Sequence, residues 1–189
     1  LSPTPRGTHA VVVGGGTMGA DVAIVLARGG CRVTVVEPQA PQSEALHHRV
    51  LAGLNDLALG HRAQNVTTAS NVHDVDWQNV CLVIECIPEK LDLKQALFAQ
   101  LTTLAPAHAV LTSNSSSFPI SAIAQGLPTQ ERMLGLHFFM PAHLVPLVEV
   151  VLGPQTAPNT AEALGAFMRG CGSVPVLVRK DKPGFLANR

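Results

Sequence analysis

The stretch "VVVGGGTMGA", residues 11–20, constrains the fold more than any other part of the chain. Gly14, Gly16 and Gly19 stand there in the spacing GxGxxG. A β-rich run, "HAVVV" (9–13), leads into them, and Met18, Val22, Val25 and Leu26 follow at helical spacing. Glycines in that spacing are common in isolation. Between a strand and a helix they read as a phosphate-binding turn. Gly14 permits the tight turn, Gly16 lets the backbone approach a pyrophosphate, and Gly19 lets the helix pack close to the strand. With Gly15, Thr17 and Met18 they form the segment expected to face a dinucleotide. The helix N-terminus offers that anion unpaired N–H groups and a partial positive charge.

The second strand, "RVTVVE" (32–37), ends in Glu37, 23 residues after Gly14. An acid at that place hydrogen-bonds the hydroxyls of an adenosine ribose and repels a 2′-phosphate. No arginine follows to compensate, so NAD is expected rather than NADP.

Beyond this unit the chain keeps alternating. Residues 43–59 read as a helix and "CLVIEC" (81–86) as a strand. Leu97, Phe98, Leu101 and Leu104 give the next helix an apolar stripe, stopped near Pro106. "AVLTS" (109–113), "RMLGLHF" and "PLVEVV" are further strands, followed by a helix over 158–170 and a last strand, "VPVLV" (174–178). Such alternation predicts an α/β chain with a doubly wound, mostly parallel sheet of Rossmann type, ending in an antiparallel strand pair. The charged turn "RKDKPGF" (179–185) is the best domain boundary. The expected organisation is a tail over 1–8, a cofactor domain over 9–184, and the start of a further domain at 185–189.

Composition narrows the partners. Thirteen basic residues balance thirteen acidic ones, so no basic excess points to nucleic acid or an anionic membrane surface. No eighteen apolar residues run together, and "LSPTPRGTHA" lacks the apolar core of a signal peptide, so no membrane association is expected. Cys31, Cys81, Cys86 and Cys171 form no CxxC pair and read as core cysteines of a reducing compartment, with the cytoplasm as the default. The eight histidines show no ligand spacing, so no metal is expected.

The run "GLHFFMPAHLVPLVEVV" (135–151) is almost wholly apolar yet holds His137 and Glu149. If its two halves pair as antiparallel strands around His143, the imidazole and the carboxylate face each other. Cross-strand partners lie about 4.5–5.5 Å apart at Cβ, within side-chain hydrogen-bonding reach. A carboxylate there fixes the imidazole tautomer and stabilises the imidazolium, which makes a general base. His143, in the loop, is given no role. The polar cluster "LTSNSSSF" (111–118) ends a strand on the edge where ligands bind in doubly wound sheets; its hydroxyls could bond a substrate oxygen, or form an ordinary loop.

In order, "GGGTMG", "VIECIPEKLDLK", "SNSSS", "GLHFF.P", "LVEVV" and "KDKPGFLANR" resemble the NAD-binding domain of the 3-hydroxyacyl-CoA dehydrogenase family, over residues 9 to 189. The resemblance implies that His137 takes the hydroxyl proton and that Glu149 orients it. It implies that Ser116 and Asn188 hydrogen-bond the reacting oxygen, Ser116 also approaching the nicotinamide, and that Glu89 and Lys94 contact the nicotinamide-side ribose. By the same resemblance, family members carry a helical C-terminal domain that closes the substrate cleft and forms a homodimer interface, and residues 1–189 are expected to stop where that domain begins.

Two departures bear on substrate and geometry. Met140 stands where the family usually has asparagine, and a thioether cannot donate a hydrogen bond. The stretch "APQSEALHHRVLAGLNDLALGHR" (40–62) contains no lysine, where fatty-acid members often carry a lysine-rich helix suited to CoA phosphates. The expected activity is hydride transfer between NAD and the 3-hydroxyl carbon of a hydroxyacyl-CoA. The sister carnitine, gulonate and diketo-acid dehydrogenases, which act on small non-CoA hydroxy acids, remain an alternative. So does a non-catalytic NAD-binding module.

Overall fold

The computed structural model describes residues 1–186. In chain order the elements are β1 (His9–Val13), α1 (Thr17–Arg28), β2 (Arg32–Val36), α2 (Ala40–Asp56), β3 (Val66–Ala69), β4 (Val80–Glu85) and α3 (Leu91–Leu104). Then follow β5 (Val110–Ser113), α4 (Ile120–Ile123), β6 (Met133–Phe138), β7 (Leu147–Leu152), α5 (Pro158–Gly170) and β8 (Val174–Val178). All eight strands form one sheet, ordered β3-β2-β1-β4-β5-β6-β7-β8. From β3 to β6 every neighbour is parallel. β7 then runs antiparallel to β6, and β8 parallel to β7. The expected Rossmann-type sheet is therefore present. The expected antiparallel pair is the β6–β7 junction, with β8 added outside it in the direction of β7.

Why the sheet is covered on both faces can be read from β1. Ala10 and Val12 join the core formed with α1, α2 and α5, while Val11 and Val13 join the core formed with α3 and α4. A strand buried on both sides gains from apolar residues at every position, which is why "HAVVV" shows no alternation. α3 buries Lys94, Leu97, Phe98 and Leu101, an i, i+3/i+4, i+7 stripe that includes one charged residue.

Three local readings change. The helix expected over 43–59 lies at 40–56, because Pro41 sits in its first turn, where a missing N–H costs nothing. β3 was not anticipated: of "VTTA" only Val66 is buried, so the segment carries no apolar signature and exists through its pairing with β2. α4 is a single turn, too short for periodicity to reveal. In the N-terminal segment Pro5 is buried and the Gly7 N–H donates to the Gly30 carbonyl. Among the described residues no helix is long and apolar enough to cross a membrane.

The strand order reverses between β1 and β4, whose carboxyl ends therefore diverge into opposite connections. A crevice must open there, and ligands of doubly wound sheets bind in such crevices.

Candidate active site

Gly14 follows β1 directly and Cys86 follows β4, and a cavity of about 690 Å³ lies between them. It is lined by Gly14 to Met18, by Val36 to Gln39, and by Cys86 to Pro88, among others. Gly14 has φ +106°, and a Cβ there would stand 2.6 Å from the Cys86 carbonyl oxygen, so the turn accepts only glycine. Gly19 is excluded from bearing a side chain by closer contact: its Cβ would fall 1.8 Å from the Gly14 carbonyl oxygen. That glycine thus serves the turn itself more than the packing of helix on strand. Gly16 and Thr17 are exposed at the α1 N-terminus, and no acidic residue occupies its first turn. An anion can reach those N–H groups without meeting a carboxylate from the helix.

Glu37 lies beside the turn and is buried. One of its oxygens accepts from the Gly15 N–H at 3.0 Å and the other from the Gln39 N–H at 2.9 Å. The carboxylate therefore braces the glycine turn while it lines the cavity, a bracing role that the sequence did not suggest.

A second cavity of about 360 Å³ adjoins the first, since Met18, Cys86 and Ile87 line both. Its other walls include Glu89, Lys94, Asn114, Ser116, His137, Phe139 and Met140. His137 and Glu149 are Cα partners across β6 and β7, as the spacing around His143 predicts. Their side chains meet at 2.7 Å between Nδ1 and the carboxylate, with both residues buried. A carboxylate only accepts, so Nδ1 donates and Nε2 keeps its lone pair. The ring is held by Phe139, edge-on at 4.7 Å, and by Phe185 at 5.5 Å between centroids. The other Glu149 oxygen accepts from the Leu186 N–H at 3.0 Å. The turn read as a boundary therefore folds back over the pair. Asp181 anchors it by accepting from the N–H groups of Ile120 and Ser121 at 2.9 and 2.8 Å. Asn188 lies outside the described residues.

Ser116, Glu89 and Lys94 come together through a network that is buried at Lys94 and Glu85 and open to the cavity at Glu89 and Ser116. Lys94 Nζ donates to Glu85 at 2.7 Å and lies 3.3 Å from Glu89, with Glu85 fully buried. Glu85 also accepts from the Ile87 N–H and the Ser113 hydroxyl. Glu89 accepts from the Ser115 hydroxyl at 2.8 Å and from the Ser116 N–H at 3.0 Å, with the Ser116 hydroxyl at 3.3 Å. Burial would raise the Glu89 carboxyl, but the bonds from Ser115 and Ser116 and the Lys94 charge together hold it below the usual carboxylate range. Glu85 and Asn114 escaped the sequence reading. Asn114 accepts from the Phe138 N–H at 2.8 Å and ties the serine loop to the histidine strand. The cluster "LTSNSSSF" contained it, but only the pairing of β5 with β6 shows what it reaches. Of the cysteines, Cys31 and Cys171 are core residues as expected, whereas Cys86 faces the cleft and Cys81 is partly exposed.

Compared with known families, residues 9–182 match the 3-hydroxyacyl-CoA dehydrogenase NAD binding domain. The chain belongs to that family. It is 36% identical to the mitochondrial hydroxyacyl-coenzyme A dehydrogenase of Sus scrofa, over 96% of this chain and 62% of that enzyme. It is 31% identical to the 5-formyl-3-hydroxy-2-methylpyridine 4-carboxylate 5-dehydrogenase of Mesorhizobium japonicum, over 94% of this chain and 59% of that enzyme. The crystal structure of 3-hydroxybutyryl-CoA dehydrogenase from Escherichia coli superposes with a TM-score of 0.91 at 35% identity, covering 97% of this chain and 40% of that one. The chain thus spans less than two thirds of each of these relatives.

The cofactor of a domain in this family is NAD, and the open α1 N-terminus and the adjoining cavity fit it. A first consequence is testable at Gly19. Gly19→Ala forces a Cβ into the Gly14 carbonyl, and such overpacking typically costs about 1–3 kcal/mol. We expect a matching loss of stability in thermal unfolding and, where the shifted turn costs the anion contact a similar amount, a roughly five- to 150-fold loss of NAD affinity by titration, at 1.4 kcal/mol per tenfold.

Proposed function

We propose that the chain is the cofactor-binding part of an oxidoreductase that transfers a hydride between NAD and the 3-hydroxyl or 3-keto carbon of a hydroxyacyl-CoA. The observation that carries this reading is the 2.7 Å bond between His137 Nδ1 and Glu149, in the wall of a cavity that adjoins the cofactor cleft. Bound NAD supplies the hydride acceptor. His137 Nε2 takes the hydroxyl proton as the C–H hydride leaves the same carbon, and Glu149 stabilises the imidazolium so formed. Ser116 holds the reacting oxygen; its 3.3 Å contact to Glu89 is long enough to be exchanged for a substrate. Asn188 is the second contact to that oxygen. Gly14, Gly15, Gly16, Thr17, Met18 and Gly19 cradle the pyrophosphate, Glu37 the adenosine ribose, and Glu89 and Lys94 the other ribose.

We take residues 9–184 as the cofactor domain and 185 onward as the start of a helical domain that completes the substrate site and forms a homodimer. Cys31, Cys81, Cys86 and Cys171 are all free, and this supports a reducing compartment, which we take to be the cytoplasm. A second substrate class is favoured by one observation. Arg49 is the sole lysine or arginine of α2, and it is paired with Asp21, so no free cationic patch there awaits CoA phosphates. The full-length protein should therefore be assayed with acetoacetyl-CoA and with free 3-hydroxy acids. Turnover with the thioester is the expected result. No rate with any acyl-CoA, beside a rate with a free acid, would reject the thioester and select the small hydroxy acid.

A further inference from the structure

Asp21 is an unusual residue to find where it is. It lies in the second turn of α1, fully buried, in a helix whose neighbours from Gly19 to Ala27 are otherwise small or apolar. Buried carboxylates are retained only when paired, and they add little stability over an apolar residue of similar volume. A role other than stability is the more economical account of it.

Its partners show what that role is. One oxygen meets the Arg49 guanidinium at 2.7 Å from Nη2 and lies 3.5 Å from His143 Nδ1, too far for a good hydrogen bond. The other accepts from the Ala142 N–H at 3.2 Å. Seven residues further along, on the same face of α1, Arg28 Nη1 donates to the His143 carbonyl at 3.2 Å and Nε to the Cys171 carbonyl at 2.7 Å. One helix therefore grips residues 142 and 143 twice, through a carboxylate and through a guanidinium. Within the same loop, the Leu144 and Val145 N–H groups donate to the Pro141 carbonyl, so the loop is tied together internally. Its first residues, Phe139 and Met140, line the cavity that holds His137.

We propose that Asp21 and Arg28 are positioning residues that clamp the 139–145 loop to the helix behind the glycine turn. The clamp fixes the Phe139–Met140 wall relative to the pyrophosphate end of the cofactor cleft. It does so where the Met140 side chain offers no hydrogen-bond donor. The consequence for turnover rests on the hydride-transfer reading above; the clamp itself does not.

The test compares Asp21→Ala and Arg28→Met with the unaltered full-length protein. Arg49 is partly exposed, 42% of its side chain, so removing Asp21 leaves no cation stranded in the core. Amide hydrogen exchange at 142–145 should quicken by at least about tenfold in both variants, with the β1 amides unchanged. NAD affinity should hold, while the rate of hydride transfer at saturating NAD should fall by between about ten- and a hundredfold, the cost of a small misplacement. Exchange at 142–145 that stays unchanged in both variants overturns the clamp. Quickened exchange with an unchanged saturated rate overturns its positioning role. If the unaltered protein transfers no hydride to any substrate, the functional reading fails and the exchange result alone decides the clamp. If Asp21→Ala fails to fold, Arg28→Met decides by the same two readouts.

Discussion

Replacing His137 with glutamine is expected to lower turnover by about 10²–10⁴-fold, the usual contribution of a general base, and to leave NAD affinity nearly unchanged. Glutamine fills a similar space and can still donate to Glu149, so the packing against Phe139 and Phe185 is preserved. What it lacks is a basic ring nitrogen to take the hydroxyl proton. Glu149→Gln should reach a comparable loss by another route. The Leu186 N–H now donates to one carboxylate oxygen, 3.0 Å away, and Nδ1 to the other. With an amide in its place, the oxygen would face Leu186 and the NH₂ would face Nδ1. The imidazole must then accept at Nδ1 and carry its proton on Nε2, the tautomer that cannot act as base. Steady-state rates at saturating NAD, with cofactor titration alongside, check both variants. Turnover that survives His137→Gln would remove this residue from the chemistry.

The parts of this site that were legible in the sequence share one property: a local rule ties residue spacing to geometry. The strand-turn-helix context placed Gly14 and Gly16 at the cleft and Gly19 behind the turn. A symmetric count about His143 placed His137 opposite Glu149, because antiparallel register is fixed once the turn's centre is known. What stayed illegible depends on contacts between segments far apart in the chain. Asp21 reaches Ala142 across 121 residues, so neither its burial nor the part played by His143 has a sequence signature. Glu85 and Lys94 are nine residues apart, yet only the strand-to-helix crossover shows that they face each other in the core. β3 exists because β2 offers it an edge, not because "VTTA" asks to be a strand.

Lys94 carries the largest expected effect on stability. By resemblance it belongs to the cofactor, but its ammonium is 2.7 Å from Glu85 and its side chain is 2% exposed. Lys94→Met would leave the Glu85 charge in the core with, among the described residues, the Ile87 N–H and the Ser113 hydroxyl as its remaining donors. Breaking one side of a buried pair costs about 3–5 kcal/mol, because the remaining charge stays desolvated. Urea unfolding should show a loss of that size. The double variant Lys94→Met/Glu85→Gln removes both charges and should regain most of it, since the amide oxygen can still accept from the Ile87 N–H while the NH₂ donates to the Ser113 hydroxyl oxygen, which can rotate to accept. Cofactor affinity then separates the two roles of the lysine. If its ammonium also serves the ribose, the double variant recovers stability and not NAD binding. If both recover together, Lys94 is a counter-ion for Glu85 and nothing more, and the ribose must be held by Glu89 without it.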